Sequence, residues 1–242
     1  MNDGHQSIDV AQRWVAVVPM RAGSKGLPGK NIRPLAGVPL YLHSVQTALD
    51  AGASRVFLST DISSVLDKPQ SASVVAVARP PHLAADSVEM AAVVSHLLET
   101  EVGRTITDAT VVILLQPTSP LRAVEDVSAA LGALLRGDSQ LVMSVSQTSS
   151  GVLKYGRLRE GRFEPLSSPE HCFANRQALP AVYRPNGAVY AFRAGWFRKN
   201  KGFATAHIGA VVMPAERSVD VDTIDDFQRV ETLIAERSEG AA

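Results

Sequence analysis

The chain alternates short, almost uninterrupted apolar runs with longer stretches in which apolar residues recur at helical spacing. The first run, WVAVVP at 14–19, has the valine-rich character of a strand covered on both faces. The next segment, 38–52, sets Leu42, Val45 and Leu49 on one helical face, with Pro39 suited to a first turn and Gly52 to a terminus. RVFLSTD at 55–61 predicts a second strand that ends in polar residues. Strand, helix, strand is the crossover unit of a parallel sheet. The pattern continues with a strand at 72–80, a helix at 87–101, a strand at 109–120, a helix at 124–135 and a strand at 141–147. It returns later with strands at 186–192 and 207–214 and a closing helix over 224–237. This alternation predicts a three-layer α/β fold, in which chemistry is expected beyond the carboxyl ends of the strands.

Between 148 and 180 the rhythm weakens. YGRLREGRFEPL at 155–166 reads as a small hairpin, with glycine turns between short alternating runs. The expected organisation is therefore a core built from 14–147 and 181–238, with 148–180 as a small insertion. A lid, an interface arm and an ordinary surface insertion all fit that segment.

Length and composition narrow the function. At 242 residues, 45% of them hydrophobic, the chain can bury a full core. Lys plus Arg number 24 and Asp plus Glu also 24, so no basic excess points to nucleic acid, and positive charge must be used locally. Cys172 is the sole cysteine, which rules out an intrachain disulfide or a cysteine-based metal cluster. The first residues, MNDGHQSIDVAQR, have neither a basic start nor an apolar stretch, and no apolar run nears the roughly 20 residues that span a bilayer. A cytoplasmic protein with no membrane partner is the expectation.

Local positive charge appears directly after the first strand. RAGSKGLPGKN, 21–31, combines Arg21, Lys25 and Lys30 with three glycines, and Arg33 follows. A glycine-rich turn between a strand and a helix can aim backbone N–H groups at phosphate oxygens. The cations add charge-assisted donors and Ser24 a hydroxyl. The loop has neither the Walker A ending nor the three-glycine dinucleotide spacing. A nucleotide triphosphate, another polyanion and a solvated turn are the three readings.

SVDVDTIDDF at 218–227 supplies the complementary charge. In an extended segment Asp220 and Asp222 share one face, and two carboxylates so placed favour a cation between them, such as hydrated Mg²⁺. Alternatively Asp222 or Thr223 caps the last helix, a role that Thr223 with Asp226 three residues on would also serve. LLQPTSPLR at 114–122 offers Gln116, Thr118, Ser119 and Arg122 from a proline-stiffened loop, and NRQALPAVYRPNGAVY at 175–190 offers Arg176, Arg184 and Asn186. A guanidinium is a suitable fork for a carboxylate or phosphate. Lys154, at the edge of the insertion, is a further phosphate candidate.

Taken in order, VVPMRAGSKGLPGKN, RPPHLAADS, LLQPTSPLR, RQALPAVYRPNGAVY and SVDVDTIDDF resemble the cytidine monophosphate sialic acid synthetases, the acylneuraminate cytidylyltransferases. The resemblance covers most of 14–235. It implies a Rossmann-like nucleotidyltransferase fold with a small dimerisation excursion, a homodimer, and transfer of CMP from CTP to the anomeric hydroxyl of a 2-keto sugar acid with release of pyrophosphate. It further implies that Arg21, Ser24, Lys25 and Lys30 grip the triphosphate and that Asn31 and Arg79 place the cytidine. Gln116, Lys154, Arg176 and Tyr190 would address the sugar acid, and Asp220 and Asp222 would hold Mg²⁺. Arg21, Lys30, Asp220 and Asp222 are then the residues expected to act in catalysis. Met90 stands where sialate members often carry a serine near the base, and Phe203 and Ala204 stand where they often carry two bulky aromatics that pack an acyl-amino group across the dimer. Legionaminic, pseudaminic and eight-carbon sugar acids are therefore alternative acceptors, and a nucleotide-binding protein without turnover is a further reading.

Overall fold

A computed structural model of the chain describes residues 14–24, 26–68 and 71–239. Eleven strands and six helices follow in the order β1 (Trp14–Pro19), β2 (Pro34–Leu35), β3 (Val38–Pro39), α1 (Leu40–Asp50), β4 (Arg55–Thr60), α2 (Ser63–Leu66), β5 (Val74–Ala78), α3 (Met90–Glu99), β6 (Val111–Leu115), α4 (Val124–Arg136), β7 (Leu141–Thr148), β8 (Gly156–Arg159), β9 (Arg162–Pro165), β10 (Val182–Arg193), α5 (Ala194–Asn200), β11 (Ile208–Val212) and α6 (Ile224–Glu239). Seven strands form one sheet in the order β11-β7-β10-β6-β1-β4-β5. All neighbours pair in parallel except β10, which runs antiparallel to both β6 and β7.

The layers follow from the strand period. On β1, Trp14, Ala16 and Val18 pack with Tyr41, Val45 and Ala48 of α1 and Val127, Ala130 and Leu134 of α4. Val15 and Val17 point the other way, to Val94, Leu97 and Leu98 of α3 and Phe197 of α5. Successive side chains alternate faces, so a strand apolar at every position needs helices on both sides. This is the α/β fold expected from the sequence. The long apolar runs ended sooner than the pattern suggested: β6 stops at Leu115, because 116–120 turn away as a polar, proline-containing loop. The short helices α2 and α5 had no sequence signal, since neither is long enough to display a period.

A third cluster places the site. Leu27 and Leu35 from the stretch after β1 pack with Leu40, Leu121, Val219, Val221, Phe227 and Val230. Burial of these side chains, each contributing about 1.5–3 kcal/mol, brings two segments roughly two hundred positions apart into contact. Between β7 and β10 the chain forms the β8–β9 hairpin and three single 3₁₀ turns, with Leu158 77% and Phe173 90% exposed.

Candidate active site

β1 is the switch point of the sheet: the chain proceeds from it through β4 to β5 on one side and returns to β6 on the other. A crevice opens where such connections diverge, outside the carboxyl ends of the strands. Here it is a cleft of about 350 Å³, lined among others by Arg21, Ser24, Gly26, Lys30 and Asn31 after β1, Arg79 after β5, Gln116 and Thr118 after β6, and Asp220 and Asp222 before α6. Four separate sequence segments converge on one opening. Lys25 lies outside the described residues.

The acidic segment has the alternation expected of it. Val219 and Val221 are buried, and Asp220 and Asp222 between and beyond them are exposed to the cleft. Of the two candidate helix caps, the one through Thr223 forms and the one through Asp222 does not. Thr223 Oγ1 accepts the Asp226 N–H at 3.2 Å and the Asp226 carboxylate accepts the Thr223 N–H at 2.8 Å, so these two cap α6 reciprocally. The cap leaves the carboxylates of Asp220 and Asp222 directed at the cleft.

Electrostatics tie the two segments together. Lys30, buried in the wall, donates from Nζ to Asp222 Oδ1 at 2.8 Å and to the Val221 carbonyl at 2.7 Å. Asp220 has its pKa raised, first by desolvation within the cleft and further by the like charge of Asp222, against a hydrogen bond from Thr118 and the positive charge of Lys30. Although Asp220 retains solvent contact, the surrounding protein still makes its charge expensive. The Lys30 ammonium meets Asp222, and a further cation between the two carboxylates would offset their remaining repulsion. Hard carboxylate oxygens facing a site able to admit phosphate suit Mg²⁺, which usually takes one or two carboxylates and completes its shell with phosphate and water. No group of three or more acidic, histidine or cysteine side chains able to hold a metal occurs among the described residues, and Mg²⁺ in such a site does not require one.

The loop after β1 is fixed at several points. Asn31 Nδ2 donates to the Arg21 carbonyl at 2.9 Å, and Asp61, just past β4, accepts the Ala22 N–H at 2.8 Å. A Cβ on Gly26 would stand 2.3 Å from the Asp222 carbonyl oxygen, so glycine permits the loop to lie directly on the acidic segment. Arg21 forms an ion pair with Asp86 and donates to the Ala84 carbonyl at 3.2 Å. Arg79 is buried, donating to the Ser59 carbonyl at 2.7 Å, and burial lowers its pKa to about 10 despite the opposing charge of Asp61.

The acceptor-side residues are less concentrated. Gln116 lines the cleft, and its side chain packs at 3.8–3.9 Å from where a Cβ on Gly187 would lie. Gly187, at φ 78°, sits where the β7–β10 register shifts between Pro185 and Tyr190. Tyr190 does not line the cleft, but Asp220 acts on it: its pKa is raised by burial first and by the Asp220 charge second. Its ring stands 5.9 Å from Phe203, which also contacts Phe192 and Phe197 of the same chain. Lys154 and Arg176 lie on 3₁₀ turns of the excursion and do not line the cleft of the single chain, and Arg176 donates to Ser149 Oγ at 3.2 Å.

Two polar residues read as ligand groups turn out to be internal. Arg122 is buried, donating to the carbonyls of Ala188 at 2.8 Å and Gln116 at 3.2 Å and to Ser44 Oγ at 2.6 Å. It joins the loop after β6 to β10 and to α1. Asn186 is buried between Ser144 and Ser218, with hydrogen bonds at 2.6 and 3.0 Å. Sequence reasoning passed over Asp61 and Asp86. The first could have been found as an acid at the carboxyl end of a strand, and the second as the acid within RPPHLAADS.

A family model described as cytidylyltransferase matches residues 15–201. N-acylneuraminate cytidylyltransferase of Streptococcus agalactiae serotype III is 30% identical over 227 residues, covering 89% of this chain and 52% of that protein. The chain thus spans about half the length of this relative. CMP-N,N'-diacetyllegionaminic acid synthase of Legionella pneumophila is 31% identical over 233 residues, covering 92% of this chain and 96% of that one. Among solved structures, a CMP:2-keto-3-deoxy-manno-octonic acid synthetase complexed with CTP superposes with a TM-score of 0.66 over 93% of this chain and all of that one, at 19% identity. That likeness is one of fold.

Proposed function

The chain belongs to the cytidylyltransferase family, and from that premise we propose that it joins CMP from CTP to the anomeric hydroxyl of a 2-keto sugar acid of the sialic acid type, releasing pyrophosphate. The observation that carries this reading is the meeting of Arg21, Ser24 and Lys30 with Asp220 and Asp222 around one cleft. Cations for a polyphosphate and carboxylates for its metal are of use together in transfer from a nucleoside triphosphate. Simple polyanion capture would be weakened by the two acids, which repel the ligand.

In the reaction the sugar hydroxyl oxygen bonds to the α-phosphorus of CTP and the bond from that phosphorus to the bridging oxygen of the β-phosphate breaks. The hydroxyl proton is lost, and pyrophosphate departs with the electron pair. Arg21, Ser24, Lys30 and Lys25 of the glycine loop grip the triphosphate, and Arg21 and Lys30 take up the charge that grows on pyrophosphate. Asn31 and Arg79 place the cytidine. Gln116 and Tyr190 orient the acid for in-line approach, which lowers the entropic part of the barrier. Asp220 and Asp222 would hold Mg²⁺, whose chemistry when bound is to neutralise phosphate charge and polarise the α-phosphate.

The acceptor is a 2-keto sugar acid of the sialic acid type; legionaminate, pseudaminate and 3-deoxy-octulosonate are the alternatives. The exposed apolar side chains of the excursion, Leu158 and Phe173 foremost, suit a homodimer formed through residues 148–180. Such a dimer would carry Lys154 and Arg176 towards the acceptor end of a cleft. No helix among the described residues is long and apolar enough to cross a membrane, and we place the protein in the cytoplasm, where CTP is available. Mass spectrometry of the protein incubated with CTP, Mg²⁺ and each acid tests the assignment. A CMP ester of one acid is expected, and CTP bound without any ester would leave a nucleotide-binding protein instead.

A further inference from the structure

Two cations that line this cleft already hold anions of the chain itself. Lys30 holds Asp222, and Arg21 holds Asp86 by direct contact of guanidinium and carboxylate. The second pair lies in connecting segments outside the regular elements. Asp86 belongs to no helix or strand, lying in the bends and turns that join the 3₁₀ turn Pro81–Leu83 to α3. Both side chains line the cleft and stay about a third accessible, 29% for Arg21 and 34% for Asp86. Such a pair can separate without opening the core.

Resting on the reading of the cleft as a CTP site, we propose that Asp86 is an internal counter-anion that occupies Arg21 until a triphosphate replaces it. Binding is then an exchange of one anion for another on the same guanidinium. The exchange has a structural consequence, because Arg21 also donates to the Ala84 carbonyl. Through these two contacts it ties the segment 83–88 to the glycine loop, and that segment supplies Leu83, Ala85, Asp86 and Val88 to the cleft wall. When Arg21 turns to phosphate, this wall loses its tie to Arg21, and the like charges of Asp86 and the polyphosphate push it outward. On departure of pyrophosphate the carboxylate returns, which keeps product from being held by an unpaired cation. Asp86 thus acts through Arg21 as a positioning residue and limits ground-state affinity in favour of turnover.

The sign of the effect separates this role from a structural one. Isothermal titration of CTP and, separately, of inorganic pyrophosphate, each with Mg²⁺, is carried out on the wild type, Asp86→Asn, Asp86→Ala, Asp86→Glu, Arg21→Ala and the Arg21→Ala/Asp86→Asn double variant. Removal of the Asp86 charge is expected to tighten both ligands by about two- to fivefold, the scale of a part-exposed ion pair. Asp86→Glu should stay near the wild type, and the gain should vanish on the Arg21→Ala background. In turnover, KM for CTP should fall while inhibition by pyrophosphate strengthens. Unchanged or weaker binding by both neutral variants, with melting temperatures like the wild type, overturns the exchange. A wild type that binds pyrophosphate but not CTP sinks the nucleotide reading alone, since the pyrophosphate comparison still decides the role of Asp86. A wild type that binds neither contradicts both.

Discussion

Lys30 Nζ lies 2.8 Å from Asp222 Oδ1, a residue 192 positions further along the chain. The lysine is buried in the wall, whereas the aspartate side chain is 69% accessible, so the contact joins a fixed cation to a solvated carboxylate. An ion pair of this kind adds about 1 kcal/mol or less to stability. Its main effect is on where charge stands in the cleft.

Lys30→Met keeps most of the aliphatic volume and removes the charge. The melting temperature should fall by only a few degrees, while kcat/KM for CTP should fall by about a hundredfold or more, the scale of losing one preorganised donor to developing charge. Steady-state kinetics and thermal denaturation on one preparation check both halves. Near-normal turnover would remove Lys30 from the reaction.

Gly26→Ala tests the close packing of the two segments. The added methyl would overlap the Asp222 carbonyl oxygen at 2.3 Å, and backbone on both sides must move, at about 1–3 kcal/mol. Turnover should be lost with this shift. Gly23→Ala, where no atom of the described residues beyond the chain neighbours lies within 4 Å of the new carbon, should leave stability within about 0.5 kcal/mol of the wild type. Chemical denaturation of the pair gives the comparison.

These two substitutions show how far the sequence could be read. The alternation of Val219, Asp220, Val221 and Asp222 is a period of two, and the valines are buried while the acids face the cleft. The position of the basic loop was legible because a doubly covered strand at 14–19 must lead to the crevice side of a parallel sheet. What could not be read was contact between distant segments. Nothing local to Gly26 says that a backbone carbonyl will lie against it, and Arg122 looks like an anion ligand until the carbonyls of Gln116 and Ala188 are found around it. The antiparallel course of β10 was hidden for the same reason, since strand direction is set by pairing and leaves no mark on the apolar pattern.

Asp226 gives the α6 cap a pH dependence. Its carboxylate accepts from the Thr223 hydroxyl at 2.7 Å and from the Thr223 and Asp222 N–H groups, and these bonds, the hydroxyl first, hold its pKa below the ordinary carboxylate value. A depressed folded-state pKa contributes stability that is present above the unfolded value, about 3.9, and lost as pH falls through the folded value. Asp226→Ala should therefore cost about 1 kcal/mol at neutral pH, with the deficit constant down to about pH 5 and shrinking below about pH 4. A deficit unchanged at about pH 3 would mean that the charge plays no part.

The excursion can be tested without touching the cleft. Leu158→Lys with Phe173→Lys places two charges on side chains that are 77% and 90% exposed in the single chain, so folding should be almost unaffected. Sedimentation velocity should show a dimer for the wild type and a monomer for the double variant, with CTP binding kept and turnover reduced. Equal sedimentation of the two proteins would place any assembly elsewhere.

The central claim is CMP transfer to a sugar acid, and acceptor-dependent release of pyrophosphate measures it most directly. With CTP and Mg²⁺, a panel of N-acetylneuraminate, its deacylated form, legionaminate, pseudaminate and 3-deoxy-octulosonate should give release with one acid well above the others. ATP in place of CTP should give none, and Asp220→Ala with Asp222→Ala should abolish the signal. Release that ignores the acid, or none with any acid although CTP binds, would contradict the account.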